Sequence, residues 1–522
     1  MLQTVYFNSR ISRYPGIARL ALVLILFAAI AQFASFGLIQ AHVISFYGAQ
    51  PEDISFAFQV TYAGIITTLP LQFRLLRYFN TRSYLLVALL TGILLNTGCL
   101  FVHDLLVFSV LRFFTGVITC IIAGCMLIVI FSTLPEAKKT LVGTSLFFSL
   151  ILTSGTLLGL LSSRVVVRTD WTALYYALIG LQLMAMLLCL LIFRPVAIMK
   201  PYPLYQLDWT GVALFMFASS ATAFVMIYGP KRYWMQDPLI LYTSIAAAVL
   251  LVLFLFRQAS LKRPLIDLRV FRHGKFIFGL LLLLLFYGVR DSLNLLYGYA
   301  AGILGWSAAD VANAGLYNVA GVIIATFIAV KLILLRKQLL PLLLLTGFAL
   351  MCCYHIWVYE RLTPDLSLHE LRIPILLQGV GCGLLFVPVT VFCLVQLPPG
   401  TGMTGIVVCS YARFIAVLNS IAGFYTLQLH YNQQFKLSFL AKLIPENALL
   451  LQRTELYKSA LAARGAAPDA AAGISGMLVA KATAVQSQLL GIRAIFLLAA
   501  GLMVLAFIAL LLFAVINKRL QK

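Results

Sequence analysis

The sequence predicts an all-α polytopic membrane protein with fourteen transmembrane helices. Three observations carry that reading. Hydrophobic residues make up 62% of the 522 residues and charged residues only 10%, with a mean hydropathy of +1.01, whereas a soluble domain is about a quarter charged. Long apolar runs recur from one end of the chain to the other, each sufficient to cross ~30 Å of hydrocarbon as a helix. The runs are apolar on all sides, without the alternation of barrel strands. Inside lipid, a helix or a closed barrel is the only backbone that satisfies its own hydrogen bonds.

The net charge of +22 does not point to nucleic acid. With both termini in the cytoplasm, most Lys and Arg fall in cytoplasmic loops and tails, the positive-inside pattern. The basic excess then sets topology and touches anionic membrane lipid. All nine cysteines lie in expected spans and none in the long outside loop, so neither a disulfide framework nor a zinc spacing is present. No metal or cofactor motif is visible. The first apolar run follows Arg10, Arg13 and Arg19. It is too long for a signal peptide and another span follows closely, so it reads as span 1.

Span 1 covers Ala18 to Phe46, with Gln32, Ser35, Ile39 and His42 recurring on one helical face. Span 2, Ile54 to Phe73, sets Gln59 and Tyr62 one turn apart, and a basic loop with Arg74, Arg77 and Arg82 follows. Span 3 ends near Phe101. Span 4, Leu105 to Phe131, carries a stripe of Arg112, Thr115 and Thr119, and Gly116 permits close approach of a neighbouring helix. Arg112 either serves function or snorkels to the outer surface. Span 5, Thr140 to Ser162, is a small-residue helix with Gly143, Gly155 and Gly159. Its glycines fit close packing as well as transport. Span 6 runs from Trp171 to Phe193.

A proline-rich stretch then reads as a cytoplasmic linker. Spans 7 (Trp209 to Tyr228) and 8 (Leu239 to Phe256) form a short extra pair. Span 9, Phe276 to Ala300, follows the basic segment Arg263 to Phe276 and contains Arg290 and Asp291. Of sixteen acidic residues, Asp291 alone falls well inside a span on this placement. A charge at that depth is costly and marks a functional site by default. Helical spacing puts Asp291 on one face with Tyr287, Asn294 and Gly298. The structural alternative is mutual neutralisation by Arg290. Span 10, Val311 to Leu335, carries Asn313, Tyr317 and Gly321 along a face. Span 11 is Leu340 to Tyr359, and span 12 is Ile373 to Val395. Span 13, Ile406 to Leu429, holds Arg413. The segment 430–488 is expected to be a helical outside loop broken at Pro445 and Gly465, before span 14, Ile492 to Ile516.

A faint repeat links the halves. Each has a basic loop between its second and third spans, and its fourth span pairs a polar residue with glycine, Thr115-Gly116 and Gln378-Gly379. The expected domains are a first six-helix bundle (1–200), a linker with two extra helices (201–262), and a second bundle with its periplasmic loop (263–522). Six-span halves with substrate between them are a transporter layout.

These residues resemble the major facilitator superfamily, in its fourteen-span drug:proton antiporter family. Asp208-Trp209 with Gly211 resembles that family's opening of the extra helix pair. Pro264 to Arg272, then Phe276, resembles its lead into the second bundle. Arg112 with Gly116 resembles the fourth-span motif whose arginine is implicated in proton transfer. Gly155-Thr156-Leu157-Leu158-Gly159 resembles the span-5 antiporter motif, with Thr156 where proline is usual. Arg413 resembles an arginine of span 13. Two features depart from the pattern. The loop after span 2 lacks the usual glycine and aspartate, and span 1 carries no acid.

The resemblance implies the major-facilitator fold, two six-helix bundles plus a central helix pair, in the bacterial inner membrane. It implies export of small organic or amphiphilic compounds by proton antiport, without a cofactor. With no acid in span 1, Asp291 is the candidate proton carrier, with Arg290 and Arg112 as partners and His42 a weaker candidate. The candidate substrate cavity comprises Gln32, Ser35, His42, Gln59, Tyr62, Thr115, Tyr287, Asn294, Asn313, Tyr317 and Arg413. Gly116, Gly155, Thr156 and Gly159 are the candidate packing positions. Two rival readings are proton-independent or uptake transport, and a membrane-embedded transferase, for which no cluster of carboxylates or histidines is visible. The resemblance also allows contact with a periplasmic adaptor and an outer-membrane channel.

Overall fold

Apolar stretches bounded by capping residues become helices, and they do so along the whole chain. A computed structural model describes residues 6–8, 11, 14–34, 36, 39–195, 204–398 and 401–520. The first half contains α1 (Pro15–Ala34), α2 (Gln40–Tyr47), α3 (Pro51–Tyr78), α4 (Thr81–Phe101), α5 (Leu105–Ser132), α6 (Glu136–Arg168) and α7 (Ala173–Ile192). Then come α8 (Trp209–Tyr228) and α9 (Pro238–Ser260). The second half contains α10 (Gly274–Arg290), α11 (Ser292–Gly302), α12 (Ala308–Leu335), α13 (Leu340–Arg361), α14 (Leu368–Val395), α15 (Gly402–Leu440), α16 (Ala448–Ala462) and α17 (Pro468–Leu520). Fourteen stretches are long and apolar enough to span a membrane, α10 and α11 together counting as one. Among the described residues the only extended pairing is an isolated bridge between Phe7 and Phe193.

Local chemistry sets the helix ends. Asp104 accepts a hydrogen bond from the Val107 amide at 2.8 Å and starts α5. Ser307 with Asp310, and Ser367 with Glu370, form capping boxes on α12 and α14. Each box satisfies amides that have no partner inside the helix.

The helix pairings repeat. In the first half α5 packs on α1, α3 and α4, α6 on α1, and α7 on α4; in the second, α14 packs on α10, α12 and α13, α15 on α10, and α17 on α13. The tightest crossings repeat too. A Cβ on Gly116 (α5) would run into the Thr61 carbonyl of α3, and one on Gly379 (α14) into the Asn318 carbonyl of α12. Reciprocally, Gly64 faces Phe113, and a Cβ on Gly321 would lie 2.7 Å from the Leu376 carbonyl oxygen. Helices this close require glycine on both sides of each crossing. The halves meet through α3 against α15 and α6 against α12. The extra hairpin seats α8 on α3 and α15, while α9 leaves most of its aliphatic side chains exposed.

The linker segments form a clamp. Asp208 caps α8 through the Gly211 amide (2.9 Å), accepts from Arg257 Nε (2.7 Å), and accepts from Gln258 Nε2 (2.9 Å). Gln258 Oε1 in turn accepts from the Leu265 amide at 2.6 Å. Arg74, at the end of α3, donates to the Pro264 carbonyl at 2.6 Å. The extra pair, the lead into α10 and the first half are thereby tied at one point. A Cβ on Gly211 would collide with the Asp208 carboxylate. Burial pushes the Asp208 carboxyl up, but the Gly211 amide, Arg257 and Gln258 together hold it below the ordinary 3.8.

Two expectations need correction. Span 1 is not one helix to Phe46: α1 ends at Ala34 and α2 begins afresh at Gln40. The connecting sequence contains Gly37, a residue that disfavours helix interiors. The helices of spans 13 and 14 do not end at Leu429 and Ile492 but run on into the segment expected to be a helical loop. α15 runs 39 residues and α17 runs 53, or roughly 58 and 80 Å at 1.5 Å per residue. They project with α16 as a helical hairpin, with breaks around Pro445 and at Gly465, whose φ is +86°.

Candidate functional site

The helix of span 9 breaks at Asp291. α10 contributes 17 residues before the break, about 25 Å of helix, so the break lies deep within the span. A break leaves the last carbonyls of one helix and the first amides of the next without intrahelical partners. Here Gln378 Nε2 of α14 donates to the Arg290 carbonyl at 3.1 Å. On the other side Ser292 and His355 Nε2 of α13 lie 2.9 Å apart, and both side chains are fully buried. His355 Nδ1 is 2.6 Å from the Met351 carbonyl. A carbonyl only accepts, so Nδ1 carries the proton and Nε2 accepts from Ser292 when the ring is neutral.

Charges and rings converge on this break. Asp291 Oδ1 is 3.9 Å from Arg290 Nε, with side-chain exposures of 16% and 29%. The pair is thus in reach of solvent and loosely held. The Tyr287 ring lies 5.8 Å from the Arg290 guanidinium carbon and 5.2 Å from that of Arg413 on α15. Arg413 also sits 5.4 Å from the Phe386 ring and donates from Nη2 to Thr390 Oγ1 at 2.6 Å. From the first half, Tyr62 of α3 packs on Phe414 (5.3 Å) and Phe33 (5.8 Å). It lies within electrostatic range of Arg290, Asp291 and Arg413. The cluster is therefore built by both halves, on the α3–α15 seam.

Arg112 occupies a separate place. It is 1% exposed and does not snorkel. Nη1 donates to the Gln32 carbonyl at 2.9 Å, and the guanidinium lies over Phe36 (4.6 Å) and Phe58 (5.5 Å). Its Nε and Nη2 have no hydrogen-bond partner among the described residues. The charge partner of Asp291 is Arg290, so Arg112 is not brought to Asp291, which corrects the expected trio. The reason is topological: Arg112 faces α1 inside the first bundle, whereas Asp291 faces the seam.

Residues 21–423 match the Major Facilitator Superfamily. The chain belongs to that superfamily. With fourteen helices long and apolar enough to cross a membrane, it is a multi-pass membrane protein. Relatives include the uncharacterized MFS-type transporter YhcA of Bacillus subtilis, 22% identical over 49% of this chain and 47% of the relative. Another is the uncharacterized MFS-type transporter EfpA of Mycobacterium tuberculosis, 23% identical over 56% of this chain and 54% of the relative. The chain thus spans about half the length of these curated relatives. Solved structures share the fold: the human organic anion transporter MFSD10 (TM-score 0.55, 12% identity, 96% of this chain and 100% of that one) and the POT family transporter PepTSo (0.55, 15%, 99% of each).

The remaining candidates of this major facilitator divide into groups. Gln32 is buried in a polar network: its Oε1 accepts from Asn96 Nδ2 (2.7 Å), which also donates to Gln182 (3.0 Å). That network ties α1, α4 and α7 together and lies away from the seam. Thr115 is buried and bonded to the Leu111 carbonyl of its own helix. Gln59 is buried, and its Oε1 has no hydrogen-bond partner among the described residues. His42 is exposed on α2 and falls outside the candidate spans, so it shares no face with Gln32. Asn294 and Asn313 have exposed side chains. Tyr317 sits 5.2 Å from the Arg372 guanidinium. Ser35 and the side chain of Thr156 lie outside the described residues. Gly159 is buried. Among the described residues a Cβ on Gly155 would meet nothing within 4 Å, so they show no close approach there.

Sequence reasoning missed Asn318, Gln378, Ser292 and His355 as supports of the break. Asn318 donates to Gln378 Oε1 and to the Ile375 carbonyl. A helix break cannot be anticipated in a run of helix-forming residues, and its supports come from distant spans.

Proposed function

We propose that the chain is a proton-linked secondary transporter of small amphiphilic organic compounds in a bacterial inner membrane, with both termini cytoplasmic. The carrying observation is the broken span at Asp291, at the seam of two halves. Discontinuous helices at the repeat interface are where such carriers bind coupling ions and substrate. Asp291 is the proton carrier, its charge held by Arg290 when ionised. Rocking of the halves, 1–200 and 263–522, about the seam alternates its access, with the α8–α9 pair riding on the joint. Phe33, Tyr62, Tyr287, Phe386 and Phe414 supply an apolar, permissive lining. Arg112 contributes a second buried charge, costly to hold without function.

Export in exchange for protons is the first reading, supported by the Arg112–Gly116 and span-5 motifs. The alternative, uptake or proton-independent transport, is favoured by one observation: span 1 carries no acid. The hairpin of α15, α16 and α17 is the surface suited to an adaptor. The test is transport in proteoliposomes across a range of pH. Asp291→Asn should abolish the pH dependence; a wild-type rate and pH profile in that variant overturns the proposal.

A further inference from the structure

We infer that the outer mouth of the path to the Asp291 break is an uncharged, carboxamide-lined vestibule at the foot of the hairpin, a subsite for neutral guests that donate and accept hydrogen bonds. The inference rests on the reading of the Asp291 break as the transport site, with both termini cytoplasmic, and not on the direction of transport. A cavity of about 300 Å³ is lined by residues of α11, α15 and α17, at the low end of the range for small-molecule sites. Gly298 and Gly302 of α11 open onto it, and among the described residues a Cβ on either would meet nothing within 4 Å. Gln428 and Asn432 of α15 and Gln488 of α17 supply three carboxamides to the lining. The two long helices approach closely here: a Cβ on the buried Gly491 of α17 would lie 3.5 Å from the Asn432 amide nitrogen.

Helical geometry joins this cavity to the break. On α11, Asn294, Gly298 and Gly302 follow one another at four-residue spacing and so share a face, and all three are exposed. That face starts beside Asp291, whose carbonyl accepts from the Asn294 amide at 2.9 Å, and it reaches Gly302 after roughly 12 Å of helix. On α15, Asn432 lies five full turns beyond Phe414, the ring that packs on Tyr62 at the seam. Each helix thus carries one face from the break to the cavity. Chemistry narrows the guest. Among the described residues that line the cavity none is charged, and the hydroxyl of Tyr299 is committed to the Thr363 carbonyl. A carboxamide both donates and accepts, so the lining pairs with hydroxyls, amides and water alike. An ion entering would give up hydration and meet no counter-charge, which costs free energy. The vestibule therefore takes water and neutral polar groups and disfavours charged ones.

The test uses the full chain in lipid nanodiscs, carrying Gly298→Cys, or Gly302→Cys if the first variant does not fold. Modification is followed with three methanethiosulfonate reagents that bear a hydroxyethyl, a trimethylammonioethyl or a sulfonatoethyl group. Each rate is divided by that reagent's rate with free 2-mercaptoethanol, and the unsubstituted chain gives the background of its own nine cysteines. The neutral reagent should be favoured about threefold or more over both charged ones. Adding Gln428→Glu should raise the cationic rate and lower the anionic rate, each about threefold. Asn294→Cys should react severalfold more slowly once Gly302→Leu fills the vestibule. No modification at Gly298 or Gly302, a charged reagent reacting as fast as the neutral one, or no effect of Gln428→Glu overturns the inference. An Asn294→Cys rate unchanged by Gly302→Leu takes the vestibule off the route and overturns it as well. None of these rates depends on a proton at Asp291, so wild-type transport by Asp291→Asn would overturn the proposed function and leave the vestibule standing.

Discussion

Removing the Asp208 carboxylate should unfasten the linker clamp. Asp208 is 3% exposed at its side chain and receives three donors, the Gly211 amide, Arg257 and Gln258. Loss of the cap alone costs about 1 kcal/mol. Breaking a buried charged pair costs about 3–5 kcal/mol, but Arg257 is 37% exposed and can rehydrate, so its share lies toward the low end. Asp208→Ala should therefore destabilise by roughly 2–3 kcal/mol. The assay is equilibrium unfolding in mixed micelles, run as a double-mutant cycle with Arg257→Ala. A coupling of about 1–2 kcal/mol is expected. Additivity within about 0.5 kcal/mol would refute the clamp. The pH arm is independent. The folded carboxyl is held below its ordinary 3.8, so its stabilisation is present above that value and lost as pH falls through the folded value. The wild type should show an acid limb below about pH 4 that Asp208→Ala lacks.

Other outcomes follow from packing and burial. Gly116→Ala and Gly379→Ala must each push a helix off a carbonyl, costing about 1–3 kcal/mol or more, whereas Gly155→Ala, where a Cβ would meet no described neighbour within 4 Å, should stay within about 0.5 kcal/mol; thermal unfolding of the three purified variants compares them. Arg112→Met replaces a buried guanidinium by an apolar chain of similar length. Its stability should be unchanged or higher while transport is lost, and retained transport would reduce Arg112 to a packing residue.

Much of this architecture is legible in the sequence. Fourteen apolar runs yield fourteen spans because lipid leaves the backbone no other option. Thr115-Gly116 and Gln378-Gly379 mark the repeated crossings, since only glycine admits a neighbouring carbonyl so closely. Asp291 stands out because an acid at that depth is expensive. Other features escape the sequence. Helical periodicity carries a stripe straight through Ala34 and through Asp291, although the chain breaks at both places. The partner that makes the Asp291 break tolerable, Gln378, lies 88 residues away from the carbonyl it satisfies. Periodicity likewise cannot say whether Arg112 and Asp291, on spans 4 and 9, face each other. The fold turns one into the first bundle and the other toward the seam.

The central claim is that Asp291 exchanges a proton when substrate binds. The direct measurement is the pH change of weakly buffered, purified protein on adding 1-naphthoate or tetraphenylphosphonium, with Asp291→Asn beside the wild type. The expected result is a proton exchanged on binding by the wild type and none by the variant, release marking antiport and uptake marking co-transport. Binding without proton exchange in the wild type, or the same exchange in Asp291→Asn, would contradict the account.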